Sequence, residues 1–188
     1  MSVEKSINKY YNDINEDERF NMRSKNIEFI VTKKYIDKYL KQGDKILEIG
    51  AGTGRYSLYY ADKGYTVNAI ELVEKNLEEL KRKINSKHNI RAIQGNALDL
   101  SMYEDNSFDV TLVLGPMYHL FTKEDKLKAL SEATRVTKNN GILFVAYIQF
   151  DAAIIQAGFI KGMFDFLAEN KMLDNEKYLP ISNKKAVF

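Results

Sequence analysis

Residues 45–55, KILEIGAGTGR, limit the possible folds more than any other stretch of this chain. Ile46, Leu47 and Ile49 are bulky or branched apolar residues suited to a strand covered on both faces. Gly50, Gly52 and Gly54 follow at alternate positions. Alternating glycines let the backbone turn sharply and let a ligand approach it without meeting a Cβ. A helix beginning near Thr53 would aim its N–H groups and positive dipole end at that ligand. Strand, glycine loop and helix are therefore expected in succession here.

Spacing narrows the ligand. A dinucleotide loop asks for GxGxxG, but the third glycine falls at Gly54 and Arg55 occupies the required position. Glu48 stands two residues before Gly50. A buried acid there is awkward beside a pyrophosphate and suits a ligand with an ammonium or another positive charge. The run EIGAGTG resembles motif I of the class I S-adenosylmethionine-dependent methyltransferases. The resemblance implies S-adenosylmethionine as cofactor and S-adenosylhomocysteine as product, with Glu48, Gly50, Ala51, Gly52 and Gly54 against it. A tight glycine turn with no ligand is the alternative that the remaining chain has to exclude.

At 188 residues and 45% hydrophobic, the chain can bury a core as one domain. A net charge of +2 gives no basic footprint for nucleic acid, without excluding it. With no cysteine there is no disulfide, thiolate zinc site or cysteine nucleophile, and two histidines argue against an all-protein metal cage, so no metal is expected. The first residues lack the apolar core of a signal peptide. The longest apolar run, 142–148, is far too short to span a bilayer, so a cytoplasmic location and no membrane partner are expected.

Residues 1–43 read as an N-terminal helical cap on a core of residues 44–148. The resemblance suggests that a leading tyrosine-rich segment closes over the cofactor, which makes Tyr11 and Arg23 contacts; the alternative is that the tyrosines are surface packing anchors. Ile27, Ile30, Val31, Ile36 and Leu40 approximate one helical face, stopped by Gly43. After the glycine loop, a helix over 55–63 ends at Gly64 and a second strand covers 65–70. Glu71 ends that strand near the interval of about 20 residues at which an acid accepts ribose hydroxyls. An exposed helix-start acid is the alternative for Glu71. Leu72 would lie against the adenine. Leu77, Leu80 and Ile84 stripe the next helix, whose basic cluster at 81–83 reads as a solvated face. A third strand, 90–93, leads to QGNALDL, which resembles the family stretch that clamps adenine. Asn96 replaces its acid, offering a neutral oxygen to the adenine amino group, and Ala97 would offer its N–H. Asp99 reads as a loop or cap acid.

Residues 107–114 alternate Phe108, Val110, Leu112 and Leu114 as a strand, and the resemblance puts Leu114 against the cofactor. The loop GPMYHL, 115–120, then emerges beside the first strand, at the carboxyl ends where ligands lie in open parallel sheets. Tyr118 and His119 are the candidate catalytic pair, able to order a nucleophile or accept its proton; alternatively they pack the cofactor floor or a helix. The loop lacks the Asn/Asp-Pro-Pro-Tyr signature of methylases acting on DNA adenine.

A helix over 123–138, closed by Asn139, Asn140 and Gly141, and a fifth strand over 142–148 complete the alternation. The fold class is α/β, with a Rossmann-like, doubly wound, mostly parallel sheet whose order the resemblance gives as 3-2-1-4-5. Residues 149–188 read as a helical segment or lid, with one helix over 150–170 in place of the family's strands 6 and 7. An exposed fifth-strand edge favours a homo-oligomer that covers it. The expected reaction is methyl transfer to a nucleophile on a small molecule, with RNA as the alternative acceptor. In-line displacement from an activated sulfonium needs alignment more than acid or base chemistry. A catalytically silent S-adenosylmethionine-binding protein and an NAD-dependent oxidoreductase remain as other classes.

Overall fold

The computed structural model describes residues 23–147, together with Ile7, Tyr11, Gln149 and residues 155–169. Residues 1–146 form one compact unit and residues 147–188 a second. In the first, α1 (Arg23–Ile36) precedes β1 (Lys45–Ile49), α2 (Arg55–Asp62), β2 (Thr66–Glu71), α3 (Glu74–Lys83), β3 (Ile90–Gln94), β4 (Phe108–Val113), α4 (Lys123–Val136) and β5 (Thr137–Val145). The five strands form one parallel sheet in the order β3-β2-β1-β4-β5, as expected, with β1 central.

Alternation along β1 sends Leu47 and Ile49 to one face and Ile46 and Glu48 to the other. Leu47 and Ile49 pack with Ala133 and Val136 of α4. Ile46 packs with Ile36 of α1 and with Tyr60 and Ala61 of α2, so helices cover both faces.

Three expectations about the elements change. Ile27, Ile30 and Val31 do not face inward; they are 46–55% exposed. α1 instead lays Phe29 against Tyr56 and Tyr59 of α2, ring centroids 4.9 and 5.6 Å apart, with the Arg55 guanidinium 4.3 Å from the Phe29 ring. The helix stops at Ile36, short of Leu40. An aromatic and cationic seam has displaced the aliphatic stripe.

The second change is at β5, which starts at Thr137, before the apolar run. The Thr137 hydroxyl lies 2.7 Å from that of Thr111 and donates to the Ala133 carbonyl. Asn140, with φ 68°, and Gly141, whose Cβ would stand 2.8 Å from the Asp109 carbonyl, lie inside the strand at a register shift between Phe108 and Val110. The residues that read as a helix stop are thus a bulge. Finally, the helix read over 150–170 is broken. A π-helical turn, Ile155–Ile160, and α5 (Phe164–Glu169) are separated at Gly162, with φ 66°. Residues 150–154 and 170–188 lie outside the described residues. Among the described residues no helix is long and apolar enough to cross a membrane.

Candidate active site

β1 delivers the glycine loop to the carboxyl edge of the sheet. Gly50, Gly52 and Gly54 have φ of 76°, 58° and 89°, all in the left-handed region. A Cβ on Gly50 would stand 2.8 Å from Pro116 Cδ, and one on Gly54 would stand 2.1 Å from Leu80 Cδ1. Those two glycines therefore admit protein neighbours, the loop after β4 and helix α3, where ligand access was expected. The amides of Gly50 and Ala51 both donate to the Ile70 carbonyl, at 2.8 and 3.0 Å. α2 begins at Arg55, as its reading over 55–63 expects, with Gly54 at its N-cap.

Two acids flank this loop. Glu71 is 6% exposed, which removes the reading as an exposed helix-start acid. Its Oε2 accepts the Gly52 N–H at 2.7 Å and its Oε1 accepts the Val73 N–H at 2.9 Å. The backbone thus fixes both oxygens of the carboxylate.

Glu48 has a different environment. It is 3% exposed and takes a hydrogen bond from the Ser57 hydroxyl at 2.5 Å and another from the Ser57 backbone N–H. Gly54 has no side chain with which to cap α2, so Glu48 caps it from the neighbouring strand. Burial pushes the Glu48 carboxyl up to about 8; the Ser57 bonds oppose the rise and the Glu71 charge adds to it. The acid expected to meet a cation as a ready anion is thus largely protonated at neutral pH. One of the helix N–H groups expected to face ligand is also engaged by Glu48.

On the β3 side, Leu72 is half-buried and its carbonyl accepts from Gln94 Nε2 at 3.1 Å. Asn96 Oδ1 accepts the Leu98 N–H at 3.0 Å, so the oxygen expected to receive an adenine amino group already builds a turn. Ala97 packs on the core cluster that contains Ile70 and Leu100.

On the other side, Leu114 follows β4, half-buried against the cluster of Ile46 and Leu112. Gly115 then opens one 3-10 turn, Pro116–Tyr118. Tyr118 and His119 are adjacent, ring centroids 6.5 Å apart. Tyr11, expected on the cofactor, has its hydroxyl 2.8 Å from His119 Nε2 and its ring edge-on to the imidazole, centroids 5.5 Å apart. Arg23 opens α1, and its side chain lies outside the described residues. A cavity of about 340 Å³ opens elsewhere, at the amino ends of β4 and β5. Its Asp109 is already engaged by Lys138 and the Lys45 N–H, and it is remote from the glycine loop.

Residues 47–145, more than half of the chain, match the family model described as a methyltransferase domain. The chain belongs to the methyltransferase domain family. This domain is 37% identical over 107 residues to the demethylmenaquinone methyltransferase of Paenarthrobacter aurescens, covering 57% of this chain and 40% of that one. Among solved structures it is similar to an S-adenosylmethionine-dependent methyltransferase of Methanosarcina mazei, at 23% identity and a TM-score of 0.60, covering 78% and 74% of the two chains. It is also similar to phosphoethanolamine N-methyltransferase 1 of Haemonchus contortus, in complex with phosphoethanolamine and S-adenosylhomocysteine. That match has 25% identity and a TM-score of 0.51, covering 57% of this chain and 24% of that one. The chain spans less than half the length of the curated relatives it matches.

Several residues that build the site in this methyltransferase domain were missed in the sequence. Ser57 holds Glu48, Val73 holds Glu71, Pro116 seats on Gly50 and Leu80 fills the space at Gly54. Only Gln94 left a signal, as the last residue of a strand in register with Glu71. The arrangement offers a fixed acceptor acid, a protonatable buried acid and a tyrosine–histidine pair around one glycine loop.

Proposed function

We propose that this methyltransferase domain binds S-adenosylmethionine across the carboxyl ends of β1, β2 and β3 and methylates a nucleophile on a small molecule. The carrying observation is Glu71, a carboxylate buried at the end of β2, at the carboxyl edge of the sheet, and fixed by two backbone N–H groups beside the glycine loop. That group fits ribose hydroxyls. Gly50, Ala51, Gly52 and Gly54 would form the floor, Glu48 would meet the ammonium group on losing its proton, and Leu72, Asn96 and Ala97 would border the adenine. Leu114 and Arg23 complete the cofactor set in this reading, and Tyr11 stands on His119 on the acceptor side. When bound, the cofactor supplies an activated methyl group on a sulfonium.

The chain's own part is alignment and exclusion of water, with Tyr118 and His119 ordering the acceptor beside the glycine loop. Support for the cofactor comes from the Haemonchus contortus enzyme, which holds S-adenosylhomocysteine. Demethylmenaquinone and phosphoethanolamine, named for two similar proteins, are small molecules, and this favours such an acceptor over RNA. The reading carries a cytoplasmic location. It also carries self-association through the β5 edge, where Ile142, Leu143, Phe144 and Val145 are only partly buried.

The test is transfer of radiolabelled methyl from S-adenosylmethionine to a panel of small amines, phenols and quinols, with RNA in a parallel arm. Label on a small molecule, lost in Glu71→Ala, is the predicted result. Label on RNA alone would replace the acceptor class, and cofactor binding with no transfer to any acceptor would indicate a silent binder.

A further inference from the structure

The contact between Tyr11 and His119 joins residues 108 positions apart, and it has two components. The hydroxyl reaches Nε2 at 2.8 Å, and the phenol ring meets the imidazole edge-on, 74° between planes. A surface packing anchor needs only the second. His119 ends the turn whose Pro116 rests on Gly50, so what fixes the imidazole also fixes a group beside the glycine loop.

We propose that Tyr11 is a positioning residue for His119, its hydroxyl donating to Nε2 and so setting both the angle of the imidazole and its tautomer. The assignment follows from the donor and acceptor chemistry of the two groups. A neutral imidazole has one N–H and one basic lone pair, and a phenol is the more acidic donor of the two. Tyr11 Oη–H therefore donates to Nε2, and the ring proton sits on Nδ1. If the ring gains a proton the bond reverses, with Nε2–H donating to Oη, so one contact holds both charge states. This deepens the reading of Tyr118 and His119 as the acceptor side and rests on it for its role in methyl transfer; the tautomer stands on the contact alone.

Imidazole nitrogen spectroscopy on the full chain tests the assignment. The chain has two histidines, and His88→Asn leaves the His119 ring as the only imidazole signal. In that background at neutral pH, the prediction is an Nδ1–H tautomer with a hydrogen-bonded, unprotonated Nε2. Adding Tyr11→Phe keeps the ring and removes the donor. It should abolish the dominance of that tautomer and shift both nitrogens toward the mixture of free imidazole, with the backbone amide spectrum otherwise retained.

An Nε2–H tautomer in the background protein, or identical nitrogen shifts with and without the Tyr11 hydroxyl, would overturn the proposal. The background measurement alone decides the matter if Tyr11→Phe does not fold. Titration with S-adenosylmethionine is read separately. Loss of cofactor binding with the tautomer as predicted refutes the cofactor reading and leaves the pair intact, and the converse result refutes the pair alone.

Discussion

The loops after β1 and β4 meet at Gly50 and Pro116, yet they are held in different ways. The first is fixed by backbone. Three residues with positive φ, two amides on the Ile70 carbonyl and the Gly52 N–H on Glu71 leave it few alternatives. The second makes one 3-10 turn, and His119 at its end is held by the side chain of Tyr11, 108 residues away. A loop fixed by backbone suits a ligand that never changes, and a loop fixed by side chains suits an acceptor that can vary between relatives. The two acids repeat the contrast. Glu71 is held by two backbone N–H groups, whereas Glu48 is buried against one serine and keeps its proton.

If the backbone-held loop is the cofactor half, its disruption should have the largest effects. Glu71→Ala removes a charged acceptor for two ribose hydroxyls, each such bond worth roughly 1.5–3 kcal/mol. S-adenosylmethionine affinity should fall by at least about a hundredfold in a binding titration. Gly54→Ala places a Cβ 2.1 Å from Leu80 Cδ1 at a φ of 89°. Left-handed strain and overpacking together should cost roughly 3 kcal/mol in urea unfolding, and Leu80→Ala in the same chain should return the overpacking share.

Glu48→Gln sharpens the comparison of the acids. The folded state holds the Glu48 proton up to about pH 8 and the unfolded chain releases it near 4.5. Between these values the folded state binds one more proton, so stability falls as pH rises, by up to about 1.4 kcal/mol per pH unit. Unfolding free energies measured from pH 5 to 8 should show that slope in the parent chain and lose this contribution to it in Glu48→Gln. The smallest effect belongs to the loop after β4. Tyr11→Phe should cost about 1 kcal/mol of stability and leave S-adenosylmethionine affinity unchanged. A larger loss of affinity would place Tyr11 on the cofactor after all.

The same contrast explains what could be read from sequence. Gly50, Gly52 and Gly54 write a backbone requirement directly into residue identity, and β1 and Glu71 were placed by their spacing from them, while the sheet order came from the family resemblance of EIGAGTG. Apolar periodicity failed at α1, where Phe29, Arg55 and Tyr59 pack through a seam that hydropathy does not register. It failed again at Asn140, because a left-handed asparagine serves a strand bulge as well as a helix stop. The charge state of Glu48 depends on burial under α2, and the position of Tyr11 depends on a contact between distant segments. Neither has a local signature.

The most direct measurement is calorimetric titration of the 188-residue chain with S-adenosylmethionine, S-adenosylhomocysteine and NAD, with Glu71→Ala in parallel. Saturable binding of the first two, lost in the variant, with no heat from NAD, is the predicted result. Binding of NAD alone, or S-adenosylmethionine binding that Glu71→Ala leaves untouched, would contradict the assignment of the loop after β1 and the acid after β2 as the cofactor site.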